Sequence, residues 1–334
     1  MYRTIKTILI AGAALVSMGA TVNAQTQVSL AVPTTSLTFS SLYIAEAGGF
    51  FEREGLAVNV RQLVGVASVN ALIGGSIDFT VPTATTMLRA GSAGQRLVAI
   101  ANIIDRPMVE LVMRKDVAEA SGITDSSTLE QRGAALKGKT VGIQGVGSVI
   151  DVYVRVVSRK GGLDPDKDMT ITPMGPPAMY PALKGKQIDA YATSLPWTTQ
   201  SLLAGDAVSL VSGPKGDLPE FLPFAYVVLA TRADYCEKNA ETCGKMARAF
   251  AGAAAMIREK PGEALEIIKK KFAKMDPALL ETAWKLASQA HSADAKVSEK
   301  GLLNAQRFDI ASGLLPAGDA IKDVSPYYTN EYLN

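Results

Sequence analysis

Between residues 28 and 213, short β-branched runs alternate with helical runs. In the first series VSLAVP (28–33), LAVNVRQL (56–63), IDFTV (77–81) and RLVAIANI (96–103) read as strands. LYIAEAGGFFEREG (42–55), ASVNALIGG (67–75) and ATTMLRAG (84–91) read as helices, the first stopping at Gly55. Strands separated by a helix cannot pair as tight hairpins. Each crossover returns the chain over the sheet and makes neighbouring strands parallel. The order predicts an α/β fold: a mostly parallel sheet with helices on both faces.

A second series begins after Asp116. LKGKTVGIQ (136–144), MTITPM (169–174), IDAYAT (188–193) and AVSLVSG (207–213) read as strands. SVIDVYVRVVSRKGG (148–162), AMYPALKGK (178–186) and PWTTQSLLAG (196–205) read as helices. Two apolar runs, MVELVMRK (108–115) and PFAYVVLATR (223–232), stand at the joints between the series. They are expected to cross between two lobes as a two-strand hinge. From Ala233 onward, 245–260, 261–274 and 277–290 have helical spacing with Pro or Asp at their starts, a helical C-terminal segment.

Residues 1–24 read as an export signal. Arg3 and Lys6 precede an apolar stretch from Ile8 to Val16, and Val22-Asn23-Ala24 fits the small-residue cleavage rule, with the cut after Ala24. The apolar stretch is short for a membrane span. The mature chain is expected to be periplasmic. Arg3 and Lys6 also account for the whole excess of Lys+Arg (34) over Asp+Glu (32), so the rest of the chain is formally neutral.

Export bears on the two cysteines. Cys236 and Cys243 stand seven positions apart, about 10.5 Å along one unbroken helix, beyond disulfide reach. A turn at Lys238-Asn239 would bring them together, and an oxidising compartment favours pairing over two buried thiols.

Composition removes several functions. Apolar residues at 48% and charged residues at 20% argue for a full core and against disorder. A near-neutral charge and 6% aromatics argue against a nucleic-acid surface. One histidine and two cysteines cannot build a multi-His or four-Cys metal site, and no metal or cofactor is expected. His291, in ASQAHSADAK, is expected at the surface or a helix end. Gly145-x-Gly147 has Ile150 where a dinucleotide loop needs its third glycine, and no Walker loop or nucleophile elbow is present. Asp78 and Asp189 each start a strand and are expected to be structural.

Ligands of open α/β sheets bind beyond the carboxyl ends of the strands. Three polar clusters fall there: Thr34-Thr35-Ser36 with the following Thr38-Phe39-Ser40-Ser41, then Thr83-Ala84-Thr85-Thr86, then Gly147-Ser148. Each offers hydroxyls, free amides and the positive end of a helix. Each is also an ordinary N-cap sequence. Trp197 follows a strand of the second series and could stack on a ligand or fill an interface. Arg106 is a candidate anion partner or a solvated loop residue.

SLTFSSLYIAEAGGFFEREGLAVNV, ALIGGSIDFTVPTATTMLRAGSAGQRLVAIA, LKGKTVGIQGVGS and LKGKQIDAYATSLPW, in that order, resemble the solute-binding proteins of ABC importers in the nitrate/sulfonate/taurine branch. The resemblance implies a two-lobed type II periplasmic-binding-protein fold, with 25–110 and 227–334 as lobe 1 and 111–226 as lobe 2. It implies a small organic anion between the lobes, a membrane permease as partner, and a monomer that is not an enzyme. By motif position it places the ligand against Thr34, Thr35, Ser36, Phe39, Thr83, Thr85, Gly147, Ser148 and Trp197. A ligand-sensing subunit and a secreted enzyme are the alternatives. The branch also resembles thiamin-pyrimidine enzymes, which use their own histidine and a cysteine-rich loop. This chain has no histidine before His291 and no cysteine cluster.

Overall fold

The computed structural model describes residues 25–63 and 66–333. The signal segment expected over 1–24, with its cleavage point, lies outside the described residues. Among the described residues ten strands form two five-stranded sheets. The first takes β1 (Thr26–Val32), β2 (Leu56–Gln62), β3 (Phe79–Thr80), β4 (Leu97–Ile104) and, late in the chain, β10 (Val227–Arg232). The second takes β5 (Val109–Arg114), β6 (Thr140–Ile143), β7 (Thr170–Pro173), β8 (Ala190–Ser194) and β9 (Ala207–Ser212). The strand orders are β2-β1-β3-β10-β4 and β7-β6-β8-β5-β9.

Both sheets are mostly parallel, as the alternation requires, and each accepts one antiparallel strand. β10 runs against β3 and β4, and β5 runs against β8 and β9. These are the two runs expected at the joints as a two-strand hinge: β5 is the strand by which the chain enters the second sheet and β10 the strand by which it returns to the first. Val109–Met113 pairs with β8 on one side, and β9 occupies the other. β10 is likewise held on both sides within the first sheet. The crossings lie between Ile104 and Val109 and between Ser212 and Val227.

Asp78 and Asp189 carry matching structural roles. The Asp78 carboxylate accepts from the Ser29 amide at 2.8 Å and the Ser29 hydroxyl at 2.6 Å, fastening the start of β3 to β1. Asp189 accepts from the Thr140 amide at 3.0 Å, fastening the start of β8 to β6. The same device at the same place makes the two α/β series structural counterparts.

The run 42–55 is two helices, Ser40–Ala47 and Phe50–Arg53, broken at Gly48-Gly49. Gly49 has φ +70°, a left-handed conformation that glycine adopts without strain and that ends a helix. The helical C-terminal segment includes a helix over Glu299–Ser312, which Ser298 caps by accepting from the Gly301 amide at 2.9 Å. It packs between the helices Ala84–Ser92 and Val149–Lys160. One continuous core joins both sheets to the C-terminal helices. Each fully buried ring within it, such as Phe79, Phe250 or Phe308, contributes about 2 kcal/mol of burial.

The helix Ala233–Lys238 ends at Asn239, where the helix Ala240–Glu259 begins. That turn brings the Cα atoms of Cys236 and Cys243 to 5.8 Å, and the two form a disulfide. Among the described residues no helix is long and apolar enough to cross a membrane.

Candidate functional site

A cavity of about 420 Å³ lies between the two sheets, walled by both. Its wall is built from chain just past the strands' carboxyl ends: Pro33 and Thr34 after β1, Pro82 and Thr83 after β3, Gln144 and Gly145 after β6, Gly175 and Pro176 after β7. This is where the turn from strand to helix leaves backbone amides and cap hydroxyls without regular partners.

Of the residues expected at the site, Thr34, Phe39, Thr83 and Ser148 lie on the wall. Capping and lining coincide at two of them. Thr83 Oγ1 accepts from the Thr86 amide at 3.4 Å and lies 2.8 Å from Thr85 Oγ1. Ser148 Oγ accepts from the Asp151 amide at 3.4 Å.

Thr35, Ser36, Thr85, Gly147 and Trp197 are not wall residues. Thr85 turns inward to Thr83. Ser36 is fully buried beneath the first turn, its hydroxyl unpartnered. Gly147, at φ +74°, donates its amide to Asp151 at 2.8 Å and accepts at its carbonyl from Arg89 at 2.9 Å. Trp197 is half-buried at the boundary between the two halves, its indole N–H donating to the Thr35 carbonyl at 3.0 Å. Thr35 donates its hydroxyl to Gln62 at 3.2 Å. These residues hold the walls together from behind. The Arg106 guanidinium donates to the Pro214 carbonyl at 3.4 Å, also off the wall.

The structure adds Thr38, Gln62, Gln144, Ile150, Ser194 and Tyr226 to the wall. Gln62 and Gln144 end or follow parallel strands, so the carboxyl-end rule applies to them too. Gln144 Nε2 reaches Thr34 Oγ1 at 3.5 Å, a polar contact from one half to the other. Thr38 is 2% exposed and its hydroxyl has no partner. Burial pushes the Tyr226 phenol well above its usual range.

His291 follows the short helix Ser288–Ala290, so it stands at a helix end, but not at the open surface that was the alternative. Its Nδ1 lies 3.0 Å from Ser41 Oγ, and Nε2 is buried without a partner. Desolvation pulls the ring down to about 3, so it is neutral over the physiological range.

Comparisons with known proteins agree with this geometry. YtlA of Bacillus subtilis (strain 168) is 23% identical over 317 residues, 92% of this chain and 88% of that protein. The 4-amino-5-hydroxymethyl-2-methylpyrimidine phosphate synthase of Aspergillus parasiticus is 23% identical over 302 residues, 88% of this chain and 83% of that enzyme. The alkanesulfonate-binding protein SsuA of Xanthomonas axonopodis pv. citri, solved bound to MOPS, superposes with a TM-score of 0.70 at 20% identity, over 91% of this chain and 98% of that one. The fold is that of the type II periplasmic binding proteins. The family described as NMT1/THI5 like matches residues 36–264, and the chain belongs to that family.

Proposed function

We propose that this chain is the exported solute-binding component of an ABC importer. It takes up a small organic solute between its two halves and presents the closed form to a membrane permease. The observation that carries this is the cavity walled by the carboxyl ends of both sheets, whose closure joins halves that the chain connects through two crossings. The fold shared with SsuA, an alkanesulfonate binder, supports the same reading. The volume is within the usual range for organic ligands, about 300–1,000 Å³, and larger than a bare nitrate needs.

The work done on the solute is binding, without catalysis. The pyrimidine synthase is an equally distant relative, but the residue types such chemistry would use are engaged elsewhere. His291 is off the cavity wall and bonded to Ser41, and both cysteines are held in the disulfide. No nucleophile–base pair lines the cavity among the described residues. Periplasmic location and a monomeric state belong to the same proposal.

A thermal-shift screen of sulfonates, carboxylates, amides and pyrimidines tests it. A true solute raises the melting temperature at saturation and is recovered chemically unchanged. A solute recovered as a different product would sink the binding-only reading.

A further inference from the structure

We propose that the solute is uncharged, with a largely apolar body and one end that both donates and accepts hydrogen bonds. This deepens the reading of the cavity as the solute site and rests on it. The sequence pointed to an anion held by hydroxyls, amides and helix ends. The surroundings of the cavity argue against that.

None of the described residues on the wall bears a charge. Its polar groups are Ser and Thr hydroxyls, the Tyr226 phenol and the amides of Gln62 and Gln144. The rest is apolar, including Phe39, Val69, Ile150, Pro176 and Val227. Neutral walls can still hold an anion where helix N-termini face it with free amides. Here part of each end is already engaged. At the helix Ala84–Ser92, the Ala84 amide donates to the Tyr226 carbonyl at 3.0 Å and the Thr86 amide to Thr83. At the helix Val149–Lys160, the Asp151 amide donates to Ser148, and the Asp151 carboxylate is fully buried in the first turn. A carboxylate there opposes the positive end of its own helix.

The charges behind the wall tilt the same way. Arg89 is occupied by Asp309, with bonds of 2.6 and 2.8 Å. Arg155 is shared between Asp151 and Asp166. Glu110, 2% exposed, accepts from the Thr198 and Ser212 hydroxyls at 2.5 and 2.9 Å and, among the described residues, pairs with no cation. It lies opposite Thr193, next to the wall residue Ser194. An anion entering this cavity would lose its hydration and find no cation to replace it. An uncharged molecule avoids that cost.

Two features describe the body and its polar end. Thr38 keeps an unpartnered hydroxyl on a wall where it is 2% exposed, so a polar group of the solute is needed to satisfy it. Val66 and Val146 are 41% and 65% exposed and both belong to the wall, one from each half. Exposed apolar groups around a cavity mark a surface that an apolar ligand covers.

The test is calorimetric titration of the purified protein at pH 7 with matched pairs: benzamide against benzoate, p-toluenesulfonamide against p-toluenesulfonate, and the corresponding alkyl pairs. The expected result is binding of neutral members at least tenfold tighter than of their acid partners. Thr38→Val should weaken neutral binding about tenfold, with an unchanged melting temperature for the free protein. Acids that bind as tightly as their neutral partners overturn the uncharged class while leaving the solute-binding reading intact. No binding by any member of the series overturns both.

Discussion

The indole N–H of Trp197 donates to the carbonyl of Thr35 at 3.0 Å, joining loops 162 residues apart in sequence and on opposite halves of the molecule. The neighbouring Leu37 amide donates to the Leu195 carbonyl at 2.9 Å. Together they fasten the loop after β1 to the loop after β8 and hold the two halves closed over the cavity.

Trp197→Phe keeps a ring and removes the donor. Closure should become less favourable by about 1 kcal/mol, the net worth of one such bond, and solute affinity should fall about fivefold. Global stability should change little. Titration calorimetry and a urea midpoint on the same variant separate the two effects.

The Arg89–Asp309 pair joins the helix Ala84–Ser92 to the helix Glu299–Ser312, and the Asp309 side chain is 1% exposed. Arg89→Met leaves that carboxylate buried and unpaired, a loss of about 3 kcal/mol. Arg89→Met combined with Asp309→Leu should recover most of it. Guanidinium midpoints of the wild type, the single and the double variant check the coupling.

The disulfide Cys236–Cys243 closes a short loop, which restricts the unfolded chain. Replacing both cysteines by serine should cost about 2 kcal/mol. The oxidised wild type should show no free thiol after denaturation; two titratable thiols would contradict the pairing.

His291 gives stability a pH signature. Its folded-state value is lowered, so as pH falls below 6.5 the unfolded chain takes up the proton first. Its contribution is constant above 6.5, is lost between 6.5 and about 3, and declines by up to about 1.4 kcal/mol per pH unit across that window. Carboxylates titrate over part of the same range. The measurement is therefore the difference between wild type and His291→Asn in urea midpoint, followed from pH 7 to pH 5. A flat difference contradicts the neutral, partly buried ring.

Alternation of strand and helix carried the fold because the two periods are local and each parallel strand needs a crossover. Which sheet each joint strand belongs to was less legible. β5 and β10 are apolar on both faces like any central strand, and only their ladder partners, which are distant in sequence, reveal which sheet owns them. At the cavity, cap hydroxyls such as Thr83 and Ser148 were legible because strand ends and helix starts are marked locally. Ile150 and Val69 were not, since an apolar residue in a helix reads as core until the facing half is in place. Trp197 carried an open alternative, ligand or interface; its indole N–H donates to Thr35 across the interface.

Val146 is 65% exposed on the cavity wall, so a larger side chain there fills the mouth without disturbing the core. The deciding measurement is titration of wild type and Val146→Trp with whichever solute the thermal-shift screen selects. One solute per chain should bind the wild type, and the variant should bind at least a hundredfold more weakly at an unchanged melting temperature. Equal affinity in the two proteins would place the solute outside the cavity between the sheets.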